Sequence, residues 1–157
     1  MLKFCRDAWC KNKDKLEAVI MMDAKLNSCD YSYLVELIVE NVLNPSIEDS
    51  WKKFDADGIT VIDNGDYQGT ILFMIPRKTY QPSANDYLLT YSYYGSCSGC
   101  DTLLSIQGWR NDNKVPTENQ VKDYMTLCKD LVCNIVKPYN YGWRGEEDFV
   151  QIAKVDN

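Results

Sequence analysis

Residues 59–63 and 67–75 flank the dipeptide Asn64-Gly65, and this arrangement constrains the fold more than any other feature of the sequence. Asn-Gly between two strand-like segments is the strongest short-range signal of a β-hairpin. Residues 87–94 have the pattern of a third strand, whose alternation places four side chains on one side: Tyr87, Leu89, Tyr91 and Tyr93. The middle of the chain therefore predicts an antiparallel sheet, in which Ile71, Phe73 and Ile75 share one face.

Helical patterns lie on both sides of these strands. Apolar residues recur at helical spacing within residues 16–24, and Asp30 is placed to cap a second helix with the apolar face Tyr31, Leu34, Val35, Ile38 and Val42. Asp101 is placed to cap a short helix that ends near Gly108. Thr117 and Gln120 form a capping box for the last helix, whose apolar stripe is Val121, Tyr124, Met125, Cys128, Val132 and Ile135.

Residues 149–155 have the pattern of a closing strand. The order of helices, hairpin, third strand, helices and closing strand predicts an α+β fold. We expect a single domain over residues 1–157, with a mostly antiparallel sheet of about four strands and helices packed on one face. A more open αβα layering is the alternative, and it requires the closing strand to join the sheet in parallel.

The composition is that of one compact globular domain. The chain has 157 residues, 45% of them hydrophobic and 25% charged, so a core can form without disulfides. The net charge of −6 opposes nonspecific binding to nucleic acid and to anionic membranes. We therefore expect a protein that contacts neither nucleic acid nor a membrane directly. A protein with a basic surface remains a suitable partner.

The cysteines and the N-terminal residues indicate a reducing compartment. The chain has seven cysteines, residues 1–10 lack the apolar core of a secretory signal, and no segment approaches the roughly 20 apolar residues of a membrane span. We expect a cytoplasmic protein in which most cysteines are small buried hydrophobic side chains and only the Cys97/Cys100 pair needs a separate explanation.

One loop concentrates the residue types that carry chemistry: Tyr94, Gly95, Ser96, Cys97, Ser98, Gly99, Cys100 and Asp101. Because the chain has no histidine, it lacks the usual base for a cysteine nucleophile and the commonest metal ligand. The pattern G-x-C-x-G fits a thiol version of a nucleophile elbow, with Cys97 as the nucleophile. Its base would have to be Asp, Glu, Lys or Tyr.

The Cys97/Cys100 pair has two further chemical interpretations. In a redox dithiol, Cys97 near a helix start would be the thiolate and Cys100 would resolve the mixed disulfide, so the catalytic candidates of an enzyme are Cys97, Cys100 and Asp101. In a structural zinc site, the pair would supply half of four thiolates. The helical thiols come in pairs five residues apart, about 140° around an axis, and cannot both face one metal ion. The thiols outside the pair are Cys5, Cys10, Cys29, Cys128 and Cys133.

The loop also fits a structural turn, which we weigh above the chemical interpretations. Glycines permit a tight turn, serines satisfy backbone groups locally, cysteines fill space, and Asp101 caps the next helix. Consecutive N–H groups at a helix start can hold a phosphate or a carboxylate of a partner. The binding residues predicted on this basis are Tyr94, Gly95, Ser96, Cys97, Ser98 and Gly99, with no metal and no cofactor.

A second conspicuous segment spans residues 138–145. It contains three aromatic residues and an arginine, namely Tyr139, Tyr141, Trp143 and Arg144. Tyr, Trp and Arg are the residue types enriched at the centres of protein interfaces. The segment predicts either an interface or a cover over the edge of the sheet.

The stretch from Tyr93 to Leu103, in which a tyrosine-rich strand leads into a Gly-Ser-Cys-Ser-Gly-Cys-Asp turn, resembles small uncharacterised bacteriophage proteins. The resemblance covers about a tenth of the chain. It implies a phage or prophage origin and an intracellular role, and it brings no catalytic residues. Phage accessory proteins of this size are frequently stoichiometric inhibitors of host complexes, including defence nucleases, and this is an analogy.

Together these observations predict a binding protein rather than an enzyme. We expect it to act on a host or phage protein through an aromatic and acidic surface, with inhibition of a host defence or nucleic-acid-handling complex as the implied role. The alternatives are a thiol redox or cysteine transfer enzyme centred on Cys97 and Cys100, and a structural zinc module.

Overall fold

The structure is a computed structural model of the chain and describes residues 1–108 and 114–138. Its α-helices in that part are α1 (Lys3–Met22), α2 (Tyr31–Ile38), α3 (Thr102–Gln107) and α4 (Glu118–Cys133). Its strands there are β1 (Thr60–Asp63), β2 (Gly69–Pro76) and β3 (Tyr87–Tyr94). The chain is therefore α+β, as the order of sequence patterns predicts.

Side-chain caps begin three of the four helices. Asp30 accepts a hydrogen bond from the Tyr33 amide at the start of α2, and Asp101 caps α3 in the same way. Thr117 and Gln120 form the predicted capping box of α4. These caps satisfy amide groups that a helix start leaves without an intrahelical acceptor. Gly108 ends α3 with a φ of 66°, a left-handed conformation that glycine adopts without strain.

The three strands form one antiparallel sheet in the order β1-β2-β3. The predicted hairpin of β1 and β2 is confirmed, but residues 64–68 connect the strands, so the loop is longer than the two residues common for Asn-Gly. Asn64 fixes this longer loop by accepting from the Thr70 amide, and Asp63 accepts from the Gly65 amide. The sheet thus has three strands where we expected about four, and the fourth, at 149–155, lies outside the described residues.

The core lies between the helices and one face of the sheet. Phe73, Ile75 and Leu88 are buried on that face, together with the predicted apolar side of α2. Helix α4 packs against β3, where the Thr90 hydroxyl donates to the Leu131 carbonyl oxygen at 2.6 Å. Helix α1 packs against α4 and against the π-helical turn Val39–Leu43 that extends α2. In this part of the chain the helices therefore cover the face that carries Phe73.

The opposite face of the sheet carries a patch of apolar and aromatic side chains outside the core, next to Thr60 and Thr70. We call it the outer face, and it comprises Ile62, Leu72, Met74, Leu89, Tyr91 and Tyr93. The register places them together, because Leu72 pairs with both Ile62 and Tyr91, and Met74 pairs with Leu89. Ile62 is 45% exposed and Tyr93 is 54% exposed, whereas the other four are half-buried.

Candidate functional site

The 94–101 loop is a tight turn that brings its two thiols together. The Cys97 carbonyl oxygen accepts from the Cys100 amide at 3.0 Å and from the Asp101 amide at 2.9 Å. A turn closed in this way brings its first and fourth residues close together. The Sγ atoms of Cys97 and Cys100 are accordingly 2.9 Å apart, and both residues are exposed.

The sulfur of Cys100 is the better supported of the two as a thiolate. It lies near the Cys97 thiol and accepts from the Cys97 amide at 3.2 Å. The hydrogen bond from the Cys97 side chain is the main cause that lowers the pKa of Cys100 below its ordinary value, and the bond from the Cys97 amide adds to it. These contacts favour an ionised thiol at the protein surface, which is the form that reacts.

Three other cysteines are poor nucleophiles because they are desolvated. Burial raises the pKa of Cys5 to about 11 and the pKa of both Cys29 and Cys128 to about 12. Cys128 lies on the buried stripe of α4, as its helical spacing predicts. The reactive thiols of the chain therefore include the loop pair but not these three.

Asp101 holds the loop in place through a buried carboxylate. Only 6% of the residue is exposed, and its carboxylate accepts from the Tyr31 hydroxyl at 3.1 Å, from the Leu104 amide at 3.0 Å and from the Gly95 amide at 3.1 Å. The Tyr31 hydroxyl in turn accepts from the Leu103 amide, so α2, α3 and the loop share one network. Burial raises the pKa of Tyr31 to about 12. Asp101, an expected participant in enzyme chemistry, is held here as a positioning group.

Gly95 and Tyr94 fix the strand end of the loop. A β-carbon on Gly95 would lie 2.4 Å from Cys100 Sγ and 2.6 Å from the Cys100 carbonyl oxygen, so only glycine fits there. Tyr94 donates its hydroxyl to Asp63 at 2.6 Å. This bond raises the pKa of Tyr94 to about 12 and lowers the pKa of Asp63. The Tyr94 hydroxyl thus connects the strand end of the loop to the end of β1 in the hairpin.

Ser96, Ser98 and Gly99 are the exposed remainder of the loop, and a groove runs beside them. We call it the loop groove, and the described residues that line it enclose a volume of about 490 Å³. Its polar lining comprises Ser98, Cys100, Asp101, Thr102 and Ser105 on one side, with Asp123, Thr126 and Asp130 of α4 on the other. The groove therefore joins a thiol to hydroxyl groups and three carboxylates, of which Asp101 is buried beneath the loop.

The loop thiols have no further metal ligand close by in the described part of the chain. No group of three or more His, Cys, Asp or Glu side chains that could hold a metal ion occurs within residues 1–108 and 114–138. A structural zinc ion requires four ligands. The arrangement of these residues fits a two-thiol site better than a zinc site.

The sequence pattern indicates the loop but not the groups that surround it in the fold. Tyr31, Asp63, Asp123 and Asp130 carry no local motif that links them to residues 94–101. The spacing of Asp123 and Asp130, seven residues apart, places them on one side of α4, yet it does not show that this side meets the loop. The predicted interface residues Tyr139, Tyr141, Trp143 and Arg144 lie outside the described residues.

Comparison of the chain with protein-family models, with curated proteins and with solved structures gave no match. The resemblance of residues 93–103 to phage proteins therefore stays a prediction. Across the described ranges, no helix combines the length and the apolar character needed to cross a membrane.

Proposed function

We propose that the protein is a binding protein whose outer face docks on a partner protein. The observation that carries this proposal is the sheet face itself, on which six apolar and aromatic side chains lie outside the core. A contiguous apolar patch of this kind is typical of an interaction surface. The protein would act by stoichiometric contact, without catalysis.

The chemistry of the outer face fits a protein partner. Tyr91 and Tyr93 pack edge to face with ring centroids 5.8 Å apart, so they present a rigid aromatic pair. Aromatic side chains contribute large contact areas at small entropic cost, and they dominate binding energies at interfaces. Ile62 and Leu72 extend the same patch across the neighbouring strands.

The last described residues lie beside this face, immediately before the predicted aromatic segment in the sequence. Val136 pairs with Leu89 at the edge of β3 that faces away from β2, with reciprocal backbone hydrogen bonds of 2.9 Å. The described chain reaches Pro138, two residues later, and the four predicted interface residues begin at Tyr139. We therefore propose that the outer face and Tyr139, Tyr141, Trp143 and Arg144 contribute to one interface.

Charge narrows the class of partner. The chain carries a net charge of −6, which favours association with a basic protein surface. Proteins that bind nucleic acid present such surfaces. The net charge and the resemblance to phage proteins together support one class of target, a host complex that handles nucleic acid in the cytoplasm. A defence nuclease belongs to this class. The protein would inhibit the complex by binding to it.

The test is capture of a saturable partner from host lysate by matched variants. We expect wild type to retain one partner in a fixed ratio, with weaker retention at higher salt. Ile62→Ser with Tyr93→Ser should lose this partner. Tyr67→Ser with Tyr80→Ser should retain it, because these tyrosines are 82% and 99% exposed and lie outside the outer face.

Circular dichroism first establishes that both double variants are folded. Equal retention by the two double variants would contradict the proposal, as would the absence of any saturable partner. Self-association of the wild type that only the outer-face variant abolishes would identify a second copy of the chain as the occupant, and would also overturn the proposal.

A further inference from the structure

The loop groove gives Cys97 and Cys100 a chemistry that protein docking does not use. Both thiols are exposed, their sulfur atoms are 2.9 Å apart, and Cys100 lines the groove whereas Cys97 is not part of its lining. A turn that already juxtaposes two sulfur atoms can close a disulfide with little movement of the backbone. The geometry therefore provides one thiol that lines the groove and a second thiol next to it.

The opposite wall of the groove carries negative charge. Asp123 and Asp130 are exposed, and neither forms an ion pair with a lysine or arginine among residues 1–108 and 114–138. Two carboxylates that have no cationic partner in the described part of the chain, beside a concave surface, raise the local concentration of cations. The hydroxyl groups of Thr102, Ser105 and Thr126 add hydrogen-bonding groups to the same groove.

We propose that Cys97 and Cys100 form a thiol–disulfide exchange site that prefers positively charged disulfides. Cys100 is the attacking thiol because it faces the groove and its sulfur accepts from the Cys97 amide. Cys97 is the resolving thiol. This order is the reverse of the one expected from the sequence, which placed the nucleophile at Cys97.

The exchange proceeds in two balanced steps. The Cys100 thiolate attacks one sulfur of the substrate disulfide, the substrate S–S bond breaks, and the departing thiolate takes a proton from water. The Cys97 thiol then loses its proton to water, and its thiolate attacks Cys100 Sγ in the mixed disulfide and releases the second substrate thiolate. The two cysteines lose two electrons in forming their disulfide, and the substrate gains them in becoming two thiols.

The first experiment locates the reaction by mass spectrometry in a Cys10→Ser background, because Cys10 is an exposed thiol elsewhere on the surface. The probe is cystamine, a disulfide with two amino groups. We expect the mass of the protein to fall by two hydrogen atoms, and peptide mapping to show a disulfide between Cys97 and Cys100. Cys97→Ser should stop at a mixed disulfide on Cys100, and Cys100→Ser should react at least about tenfold more slowly.

The second experiment tests the charge preference. Rates with cystamine are compared with rates for hydroxyethyl disulfide and glutathione disulfide, which are neutral and anionic. At about 10 mM salt, where charges interact over about 30 Å, Asp123→Asn with Asp130→Asn should slow the cystamine reaction at least about threefold and leave the neutral probe unchanged. The matched control is Asp7→Asn with Asp14→Asn on α1, which removes the same charge with the same spacing.

Two results would overturn the proposal. One is oxidation that maps to cysteines other than 97 and 100, or a mixed disulfide that accumulates on Cys97 in the protein that retains Cys100. The other is an equal effect of the α4 and α1 double variants on the cystamine rate, because the groove would then have no role in substrate choice.

Discussion

Asp101 connects three parts of the molecule through one buried carboxylate. It accepts from Tyr31 of α2, from the Leu104 amide of α3 and from the Gly95 amide of the loop. Hydrogen bonds to a charged acceptor are stronger than neutral ones, and the Gly95 and Leu104 amides would lose their acceptor without it. The sequence predicted the helix cap at this position, but the long-range contact with Tyr31 has no local signal.

Gly95→Ala tests whether the loop depends on close packing. The new β-carbon would meet the backbone of Cys100, so the turn must shift, and we expect unfolding to become easier by about 1–3 kcal/mol. Gly99→Ala is the matched control, because its β-carbon would have only Cys97 Sγ within reach, at 3.8 Å. Urea denaturation measures both variants, and equal stabilities would contradict this account of the turn.

Selective alkylation tests the difference between the thiols. At pH 8, brief treatment with iodoacetamide should modify Cys100 much faster than Cys128. The pKa of Cys100 is lowered by its Cys97 contacts, so its reactive thiolate persists to lower pH, whereas burial raises the pKa of Cys128 to about 12. Peptide mass mapping reads the result. Modification of Cys128 at the rate of Cys100 would show that the core is open at α4.

The elements of the fold were readable from the sequence where their signals are local. The caps at Asp30, Asp101 and Thr117 and the hairpin around Asn64-Gly65 are confirmed because short-range hydrogen bonds and strand composition determine them. The five-residue connection in the hairpin and the π-helical turn after α2 were not predicted. The connection is fixed by hydrogen bonds to the Asp63 and Asn64 side chains, which the Asn-Gly pattern alone does not indicate.

Thr117→Ala tests the contribution of a cap at the scale of a helix. Loss of the bond that the Gln120 amide donates to the Thr117 hydroxyl oxygen should destabilise the protein by about 1 kcal/mol. Thr126→Ala in the middle of α4 is the control, and we expect it to change stability by no more than about 0.5 kcal/mol because alanine favours a helix interior. The stabilities of the two variants are compared by their urea unfolding midpoints. A larger loss for Thr126→Ala would contradict the assigned cap.

At the scale of the whole molecule, the sheet separates two kinds of surface. Its inner face packs on helices through Phe73, Ile75 and Leu88, and its outer face presents tyrosines and aliphatic side chains outside the core. Period-two alternation in β3 predicted which residues share a side. It could not predict which side the helices cover, because that choice depends on packing between distant segments. The same limit explains why the loop groove was not foreseen.

The affinity for the captured partner tests the central claim, that the partner is held by surface contact and not by the loop thiols. Cys97→Ser should leave Kd within about threefold of wild type, because the turn contributes little binding energy. Tyr141→Ala with Trp143→Ala should raise Kd more than about tenfold, since two clustered aromatic anchors contribute at least ~2 kcal/mol. Titration calorimetry on folded variants gives both values. A folded Cys97→Ser protein that no longer binds, beside an aromatic double variant that binds as wild type does, would contradict the account.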